Sequence, residues 1–301
     1  MRVAVTGRQG QVVQALLECA AGTDDTIVTL ARPDFDLMQP AGFDAVLAAA
    51  KPDVVVSAAA YTAVDAAESD RETAFAVNAA GAGAVAAAAA KLRIPVIQLS
   101  TDYVFDGTLE RPYREDDATG PQGVYGASKL AGEQAVAAAH DDHAILRISW
   151  VYSPFGKNFV RTMLTVAGQR EELTVVADQH GAPGNAHDIA RGILSVARNL
   201  VTRPEDRALR GTFHMSARGA TTWAGFAEAI FAASRRMQGP SARVRHITTA
   251  EYPTPARRPA NSRLDSGKLA ATHGVSLPDW RDSLPACVER LVSDVGQGKQ
   301  P

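Results

Sequence analysis

The chain opens with a short apolar run that leads directly into a glycine turn. Residues 2–6 read Arg-Val-Ala-Val-Thr, and Gly7, Gly10 and Gln11 follow before a helix-like segment begins. A buried strand, a glycine turn and a helix in this order are typical of a dinucleotide cradle. The glycines let the backbone approach a pyrophosphate, and free N–H groups at the start of the helix face its charge. The opening therefore predicts a dinucleotide site at Gly7, Gly10, Gln11 and Val12.

Strand-like and helix-like segments alternate up to about residue 150. This alternation favours parallel strands joined by helical crossovers, and hence a Rossmann-type doubly wound α/β sheet. Ligands of such sheets bind in the crevice at the carboxyl ends of the strands. The predicted strands cover residues 3–6, 26–30, 54–57, 96–100 and 144–148, and the predicted helices cover residues 10–21, 40–51, 67–92 and 125–140.

The second half of the chain has a less regular rhythm. We predict helices at 159–168, 187–200 and 222–237, and strands at 174–176 and 211–215. Residues 1–150 are expected to form an NAD(P)-binding Rossmann domain. Residues 151–301 are expected to form mainly a smaller C-terminal substrate-binding lobe, with some segments returning to the main sheet. A frayed tail is expected over residues 296–301.

Composition excludes several classes of partner. A net charge of −2 provides no basic field for nucleic acid or an anionic membrane surface, so a small-molecule substrate is favoured. Only two cysteines, Cys19 and Cys287, are present, which fits a reducing compartment. A strand begins almost at once, without the pattern of a secretory signal. We therefore expect a cytoplasmic protein, with the apolar stretch at residues 79–90 forming a buried helix.

A tyrosine and a lysine four residues apart form the first candidate catalytic pair. Tyr125 and Lys129 lie at the head of a predicted helix, so both side chains leave one face. An ammonium beside a phenol favours the phenolate, which predicts that Lys129 lowers the pKa of Tyr125 and makes it a proton donor and acceptor. Taken alone the spacing is weak evidence, because the same pair occurs on many solvated helices.

Small and hydroxylated residues follow the third and fourth predicted strands. Ala58, Ala59 and Ala60 would let a cofactor lie against the backbone, and helix packing alone is the less favoured explanation. Thr101 follows the fourth strand, where its hydroxyl group emerges into the predicted crevice. From there it can donate a hydrogen bond to a carbonyl oxygen.

With these motifs in view, the chain resembles the dTDP-4-dehydrorhamnose reductase family, within the extended short-chain dehydrogenase/reductase superfamily. The resemblance runs nearly end to end and is far more selective than the glycine turn or the Tyr/Lys pair. The matching segments are residues 58–65, 100–105, 124–126, 129–133, 149–152, 179–183, 221–223, 252–259 and 261–264.

The resemblance implies reduction of the C4 ketone of dTDP-4-dehydro-L-rhamnose, giving dTDP-L-rhamnose. Tyr125 would protonate the developing alkoxide, Lys129 would also hold the nicotinamide ribose, and Thr101 would bind the carbonyl oxygen. The implied substrate residues are Val64, Thr101, Asp102, Tyr103, Trp150 and Arg257. The implied cofactor residues are Gly7, Gly10, Gln11, Val12, Arg32, Asp36, Leu37, Ala58, Ala59, Ala60, Tyr61, Thr62, Tyr125 and Lys129.

Several of these side chains also have a purely structural explanation. Trp150 suits a buried core position at a strand end as well as a sugar-binding surface. Arg257, Arg258 and Arg263 could bind a diphosphate bidentately, or brace a proline-rich loop through carbonyl contacts. His180 could touch substrate, but packing within a loop is the favoured interpretation.

The cofactor turn departs from the usual pattern at two places. Val13 stands where a third glycine normally lets the first helix pack closely on the first strand, so the gap there should be slightly wider. After the second strand comes Arg32, with no acidic residue to receive the adenosine ribose hydroxyls. An arginine suits a 2′-phosphate, which predicts NADPH, although the resemblance is also compatible with NADH.

The resemblance links metal binding to assembly, because some relatives hold magnesium at a dimer contact. At two of the corresponding positions this chain has Ala15 and His187, neither of which offers a hard oxygen ligand. We therefore predict no metal site, and both a monomer and a homodimer remain open.

Two other functions compete with this reading. One is a different dTDP-4-keto-deoxysugar reductase, with the same machinery and another sugar pocket, in natural-product glycosylation. The other is a non-catalytic regulatory subunit that keeps the fold, like the regulatory subunit of methionine adenosyltransferase. Against the latter stand Thr101, Tyr125 and Lys129, since a non-catalytic chain has no chemical need for them.

Overall fold

A computed structural model describes residues 1–296 of the chain, and twelve strands are found in this range. They are β1 (Arg2–Thr6), β2 (Thr26–Leu30), β3 (Val54–Ser57), β4 (Val96–Thr101), β5 (His143–Ile148), β6 (Val151–Tyr152), β7 (Glu172–Val176), β8 (His180–Gly181), β9 (Gly184–Asn185), β10 (Gly211–His214), β11 (Thr221–Thr222) and β12 (Arg243–Ile247).

Eleven α-helices occur in the same range, with a π-helical turn at Ala76–Gly81 and three short 3₁₀ turns. The helices are α1 (Gln11–Ala20), α2 (Phe43–Ala50), α3 (Val64–Ala67), α4 (Arg71–Phe75), α5 (Ala82–Leu92), α6 (Val124–Ala139), α7 (Phe159–Ala167), α8 (Ala186–Thr202), α9 (Trp223–Arg236), α10 (Gly267–His273) and α11 (Trp280–Gly296).

Six of the strands form one parallel sheet in the order β10-β5-β4-β3-β1-β2. β1 lies between β2 and β3, so the chain crosses to the other side of β1 after it leaves β2. The carboxyl ends of β1 and β3 therefore flank a topological switch point, where a crevice opens for a ligand.

Helices cover both faces of this sheet, which explains why its central strands are continuous apolar runs. All four residues of β3 are buried. On one face, α1 and α8 pack together over a core that continues into α9 and α11. On the other face, α2, α5 and α6 enclose a second core, in which alanines of α5 pack closely against α6.

The predicted doubly wound sheet is confirmed, and its first five strands lie within one residue of the predicted bounds. The predicted strand at 211–215 is β10, and it pairs in parallel with β5 at the edge of the main sheet. This segment therefore belongs structurally to the first half of the chain. The division at residue 150 stays a prediction.

The helix predicted over 67–92 is wrong in its continuity. Helical structure begins earlier, at Val64, is interrupted before Arg71, and contains the π-helical turn before α5. By length and composition alone, Arg71–Leu92 could cross a membrane. Its interior, however, buries Asn78, whose amide is hydrogen-bonded to Tyr61 and Ser128. Such polar anchoring against neighbouring elements is expected of a core helix.

The sequence analysis missed β12, α10 and α11, and also the two-residue strands β6, β8, β9 and β11. In α11 the proline at 285 conceals a helical pattern of buried Leu284, Val288 and Leu291. Asp279 caps the start of α11, because its carboxylate accepts a hydrogen bond from the Arg281 N–H at 3.0 Å. The expected tail lies outside the described residues from residue 297 onward, and Gly296 ends α11.

Candidate active site

Two adjoining cavities open at the carboxyl edge of the main sheet. The cofactor-side cavity, of about 550 Å³, lies beside the turn after β1 and the end of β2. The central cavity, of about 640 Å³, lies beside the ends of β4 and β5 and the start of α6. Gln9 and Ala60 line both cavities, so the two are neighbours along one crevice.

Almost every predicted site residue lies in this crevice. The cofactor-side cavity is lined by Gly7, Arg32, Asp36, Leu37, Ala59, Ala60 and Tyr61. The central cavity is lined by Gly10, Gln11, Val12, Ala58, Ala60, Thr62, Val64, Thr101, Asp102, Tyr103, Tyr125, Lys129 and Trp150. Of the predicted substrate residues, Arg257 lines neither cavity and is exposed.

The turn after β1 has the backbone shape that the glycine pattern predicts. Gly7 has a φ of +93°, a conformation that other residues rarely adopt. Next to it, the Thr6 hydroxyl oxygen accepts hydrogen bonds from the N–H groups of Ala58 and Ala59, each at 2.9 Å. The Thr6 side chain thus ties the end of β1 to the segment after β3. Val13 is accommodated in the core at 2% exposure.

Positive charge lines the outer part of the cofactor-side cavity. Arg8 and Arg32 both line it and are exposed, so their guanidinium groups are available to an anion. Arg8 was missed by the sequence analysis, although it lies inside the glycine turn. Asp36 is turned toward its own loop, where its Oδ1 accepts a hydrogen bond from the Met38 N–H at 3.0 Å.

The end of β4 brings a hydroxyl and a carboxyl group into the central cavity. Thr101 Oγ1 donates to Asp102 Oδ1 at 3.0 Å and accepts from the Tyr103 N–H at 3.2 Å. Asp102 is 2% exposed, and its Oδ2 has no hydrogen-bond partner among the described residues. Burial raises the pKa of Asp102 to about 7, so this carboxyl group titrates near neutrality.

The Tyr125 phenol lies partly buried against the same wall. A Cβ at Gly126 would meet the Tyr103 carbonyl oxygen at 2.2 Å, so this glycine lets α6 approach the 3₁₀ turn after β4. The Tyr103 and Tyr125 rings then meet edge to face, with centroids 5.7 Å apart. Burial raises the pKa of Tyr125 to about 12, and hydrogen bonding from Thr101 opposes this rise.

Lys129 lies one turn further along α6, and its ammonium reaches the sheet. Lys129 Nζ donates to the Leu99 carbonyl oxygen at 2.6 Å. Burial lowers the pKa of Lys129 to about 8, while the Glu133 carboxylate acts in the opposite direction. The prediction that Lys129 lowers the pKa of Tyr125 is wrong for this structure, because the ammonium is held at a carbonyl and burial dominates at the phenol.

A further polar residue, missed by the sequence analysis, joins the two sides of the site. Asn78 lies in the π-helical turn, and its Oδ1 accepts from the Tyr61 N–H at 2.8 Å. Its Nδ2 donates to the Tyr61 carbonyl oxygen and to Ser128 Oγ, both at 3.0 Å. One buried amide thus connects the loop after β3 to α6. The break in helical geometry at 76–81 is the local sign of this residue, and the sequence gives no periodic signal for it.

A pair of tryptophans forms the far wall of the central cavity. Trp150 stacks on Trp223 with ring centroids 3.6 Å apart and planes 9° from parallel. The Trp150 indole N–H donates to Ser262 Oγ at 3.1 Å. Trp150 is only partly buried and lines the cavity, so it presents an aromatic surface and is not enclosed in the core. Trp223 was not identified as a site residue from the sequence.

Two of the three arginines near the proline-rich segment brace loops, which is one of the two roles considered for them. Arg258 Nη2 donates to Asp65 Oδ2 at 2.8 Å, which joins the proline-rich segment to α3. Arg263 donates to Asn261 Oδ1 at 2.8 Å and to the Glu110 carbonyl oxygen. His180 is exposed, and its backbone bonds to residues 260 and 262, as expected for a residue that packs a loop.

Comparison with known proteins identifies the family to which the chain belongs. The family model described as "RmlD substrate binding domain" matches residues 1–293. The chain belongs to the dTDP-4-dehydrorhamnose reductase family. It is 52% identical to the dTDP-4-dehydrorhamnose reductase of Sinorhizobium fredii, with 97% of this chain and 98% of that protein covered. The enzyme of that name from Burkholderia thailandensis is 46% identical, over 97% of this chain and 100% of the other.

A solved structure in the family extends the likeness to three dimensions. The dTDP-4-dehydrorhamnose reductase of Bacillus anthracis, crystallised in complex with NADP, superposes with a TM-score of 0.87. It is 33% identical and covers 95% of this chain and 98% of its own. The family fold is therefore kept almost end to end.

Proposed function

We propose that this chain reduces the C4 ketone of dTDP-4-dehydro-L-rhamnose to an alcohol, with NADPH as the hydride donor, and so makes dTDP-L-rhamnose. The observation that carries the proposal is the convergence of Thr101, Tyr125 and Lys129 on one cavity that adjoins the glycine turn. Membership of the dTDP-4-dehydrorhamnose reductase family supports the choice of substrate.

The residues of the cofactor-side cavity suit a phosphorylated dinucleotide. The turn at Gly7 and the first N–H groups of α1 offer donors to a pyrophosphate, and α1 begins directly after Gly10. Arg8 and Arg32 offer two guanidinium groups to a 2′-phosphate. When bound, NADPH supplies the hydride that reduces the ketone carbon.

Tyr125 supplies the proton. With a pKa of about 12 the phenol is fully protonated at neutral pH, so it enters the reaction as an acid. The ketone oxygen becomes more basic as hydride arrives at C4, and the phenol then transfers its proton to that oxygen. In this proposal the Thr101 hydroxyl turns its hydrogen from Asp102 Oδ1 to the same oxygen, and this hydrogen bond stabilises the negative charge that develops in the transition state.

Lys129 supplies positive charge close to this proton transfer. With a pKa of about 8 it is mostly charged at neutral pH. Because the ammonium is held at the Leu99 carbonyl oxygen, its role in this proposal is to bind the nicotinamide ribose.

The remaining wall of the central cavity is assigned to the sugar. Trp150 provides an aromatic face for a deoxysugar ring, and Asp102 provides a carboxyl group with one unpartnered oxygen. Val64 and Tyr103 complete the pocket. Arg257, being exposed, remains a proposed partner for the nucleotide diphosphate.

We propose further that turnover needs no divalent cation. No group of three or more potential metal ligands lies together within residues 1–296. Near Ala15 and His187, the Glu18 carboxylate is bound by His187 and Arg290, each at 2.8 Å, and the Arg290 hydrogen bond chiefly lowers the pKa of Glu18 to about 2. Activity should therefore persist in excess chelator, whereas a loss that magnesium restores would contradict this.

The oligomeric state stays open between a monomer and a homodimer. The cytoplasmic location stays a prediction.

The deciding experiment is a screen of the purified chain against several dTDP-4-keto-deoxysugars with NADPH. The highest kcat/KM is expected for dTDP-4-dehydro-L-rhamnose. A higher value for another ketosugar would assign the chain to a different pathway. If no ketosugar supports NADPH oxidation, the non-catalytic alternative replaces this proposal.

A further inference from the structure

A buried ion pair lies behind Lys129, between α6 and the sheet. Glu133 follows Lys129 by one turn of α6, and Arg147 lies on β5; they are 5% and 4% exposed. Arg147 Nε donates to Glu133 Oε1 at 2.9 Å, and Nη2 donates to Oε2 at 2.7 Å. This two-point contact fixes the orientation of both side chains.

The other side of the Arg147 guanidinium faces neutral groups. Arg147 Nη1 lies 3.4 Å from His214 Nε2, and the guanidinium lies over the Phe105 ring at 5.0 Å. His214 Nδ1 lies 3.0 Å from the Tyr113 carbonyl oxygen, which can only accept, so Nδ1 carries the hydrogen and Nε2 accepts from Arg147. Burial lowers the pKa of His214 to about 3, so the imidazole is neutral at physiological pH.

The ion pair and Lys129 are anchored to consecutive residues of β4. Lys129 Nζ donates to the Leu99 carbonyl oxygen, and the Ser100 hydroxyl donates to Glu133 Oε1. Thr101 is the next residue along the strand. Two side chains of α6, four positions apart, therefore hold the helix in register against the strand end that carries Thr101.

We propose that Glu133 and Arg147 are positioning residues for Lys129, which keep its ammonium in place and charged at the cofactor. Glu133 lies one turn of α6 after Lys129, and its ion pair with Arg147 balances its charge. This inference rests on the proposed function, because it assumes that a charged Lys129 is needed to hold the nicotinamide ribose.

The charges predict opposite effects for the two partners. On α6, Tyr125 and Glu133 lie one turn before and one turn after Lys129. Its ammonium donates to the Leu99 carbonyl oxygen of β4, Asp102 lines the same cavity, and Arg147 of β5 is paired with Glu133. Removing the Glu133 charge leaves a buried cation behind, which lowers the pKa of Lys129. Removing the Arg147 charge leaves a buried anion, which raises it.

The test measures the dissociation constant of NADPH by fluorescence from pH 6 to pH 10 in Glu133→Gln, Arg147→Met and the double variant. Binding by the unaltered chain should weaken above about pH 8, the pKa of Lys129. We call this loss of affinity at high pH the alkaline limb, and its absence from Lys129→Met would show that it is due to Lys129. The midpoint of the limb should move about one pH unit down in Glu133→Gln and about one unit up in Arg147→Met. In the double variant it should lie near that of the unaltered chain.

A purely structural pair would weaken binding in both single variants without moving the limb in opposite directions, and that result would overturn the inference. A limb missing from the unaltered chain would overturn it too. If Glu133→Gln does not fold, Arg147→Lys against Arg147→Met decides, since lysine keeps the charge and should leave the limb in place. A chain that shows the limb but reduces no ketosugar would reject the proposed function and leave this inference standing.

Discussion

The two cavities of the crevice are built on different physical principles. The cofactor-side cavity is lined by a glycine turn and by exposed guanidinium groups, those of Arg8 and Arg32. The central cavity is lined by buried or partly buried titratable groups whose pKa values are displaced: about 7 for Asp102, about 12 for Tyr125 and about 8 for Lys129.

The difference separates binding from chemistry. Backbone donors and exposed charges recognise phosphates without a large cost in folding stability, because water already solvates the arginines. Buried acids and bases destabilise the fold, but burial brings the pKa values of Asp102 and Lys129 close to neutrality and keeps the Tyr125 phenol protonated. Changes in the first cavity should therefore alter cofactor dissociation constants. Changes in the second should alter kcat and pH dependence.

The strongest test of this separation is Tyr125→Phe. Loss of the proposed proton donor should lower kcat by roughly 10²- to 10⁴-fold, the usual size of a general-acid contribution. The dissociation constant of NADPH should change by less than about twofold, since the ring is kept. Tyr103→Phe is the matched control, because it removes the neighbouring phenol, whose ring lies 5.7 Å away, and it should cost far less kcat. Equal losses in the two variants would contradict the assignment.

Asp102→Asn tests whether the central cavity lowers stability through burial. The folded pKa of Asp102, about 7, lies above its ordinary value of 3.8, so the folded state keeps a proton that the unfolded state loses between these values. Stability contributed by this group is present at low pH and is lost as the pH rises toward 7. The variant should gain roughly 2–3 kcal/mol more over the unaltered chain at pH 8 than at pH 5.

The measurement for Asp102 is the free energy of unfolding in urea at both pH values, for both proteins. Taking the difference between the proteins cancels the titration of groups that they share. A stability difference that does not change with pH would show that the carboxyl group is ionised at little cost.

Gly7→Ala tests the backbone character of the cofactor-side cavity. Alanine at a φ of +93° costs about 1–2 kcal/mol and distorts the turn, so NADPH should bind roughly tenfold more weakly. At saturating NADPH, kcat should remain near that of the unaltered chain. Gly22→Ala is the control, because Gly22 has a φ of +80° with open space around it. It should lower Tm without changing the NADPH dissociation constant. A large loss of kcat in Gly7→Ala would contradict the separation of binding from chemistry.

Arg32→Ser should have the smallest effect, on cofactor choice. Loss of one exposed guanidinium group should reduce the preference in kcat/KM for NADPH over NADH by roughly fivefold to tenfold, because Arg8 remains beside the 2′-phosphate. The NADH value itself should hardly change. A clear preference for NADH in the unaltered chain would reject the assignment of Arg32.

The sequence predicted the main sheet well because its strands are local patterns. β1 to β5 are short apolar runs bounded by turn residues, and each could be placed within one residue. β10 could be found as a strand, but its place beside β5 depends on a partner more than sixty positions away. α11 was missed because Pro285 interrupts its first turns and masks the apolar spacing.

The site residues that could be predicted from the sequence are likewise those that form local patterns. The Tyr125 and Lys129 spacing and the glycine turn are readable within a few residues. Asn78 is not, because its role depends on Tyr61 and Ser128, which lie 17 and 50 positions away. The direction of the Tyr125 pKa shift was predicted wrongly, because a sequence shows neighbouring charges but not the burial that outweighs them.

The central claim is that hydride and proton meet at one ketone in the central cavity. The most direct measurement uses NADPH deuterated at C4 of the nicotinamide with dTDP-4-dehydro-L-rhamnose, followed by NMR of the sugar product. We expect deuterium at C4 of the sugar with the unaltered chain, and almost none in the same time with Tyr125→Phe. A product without deuterium at C4, or equal labelling by both proteins, would contradict the account.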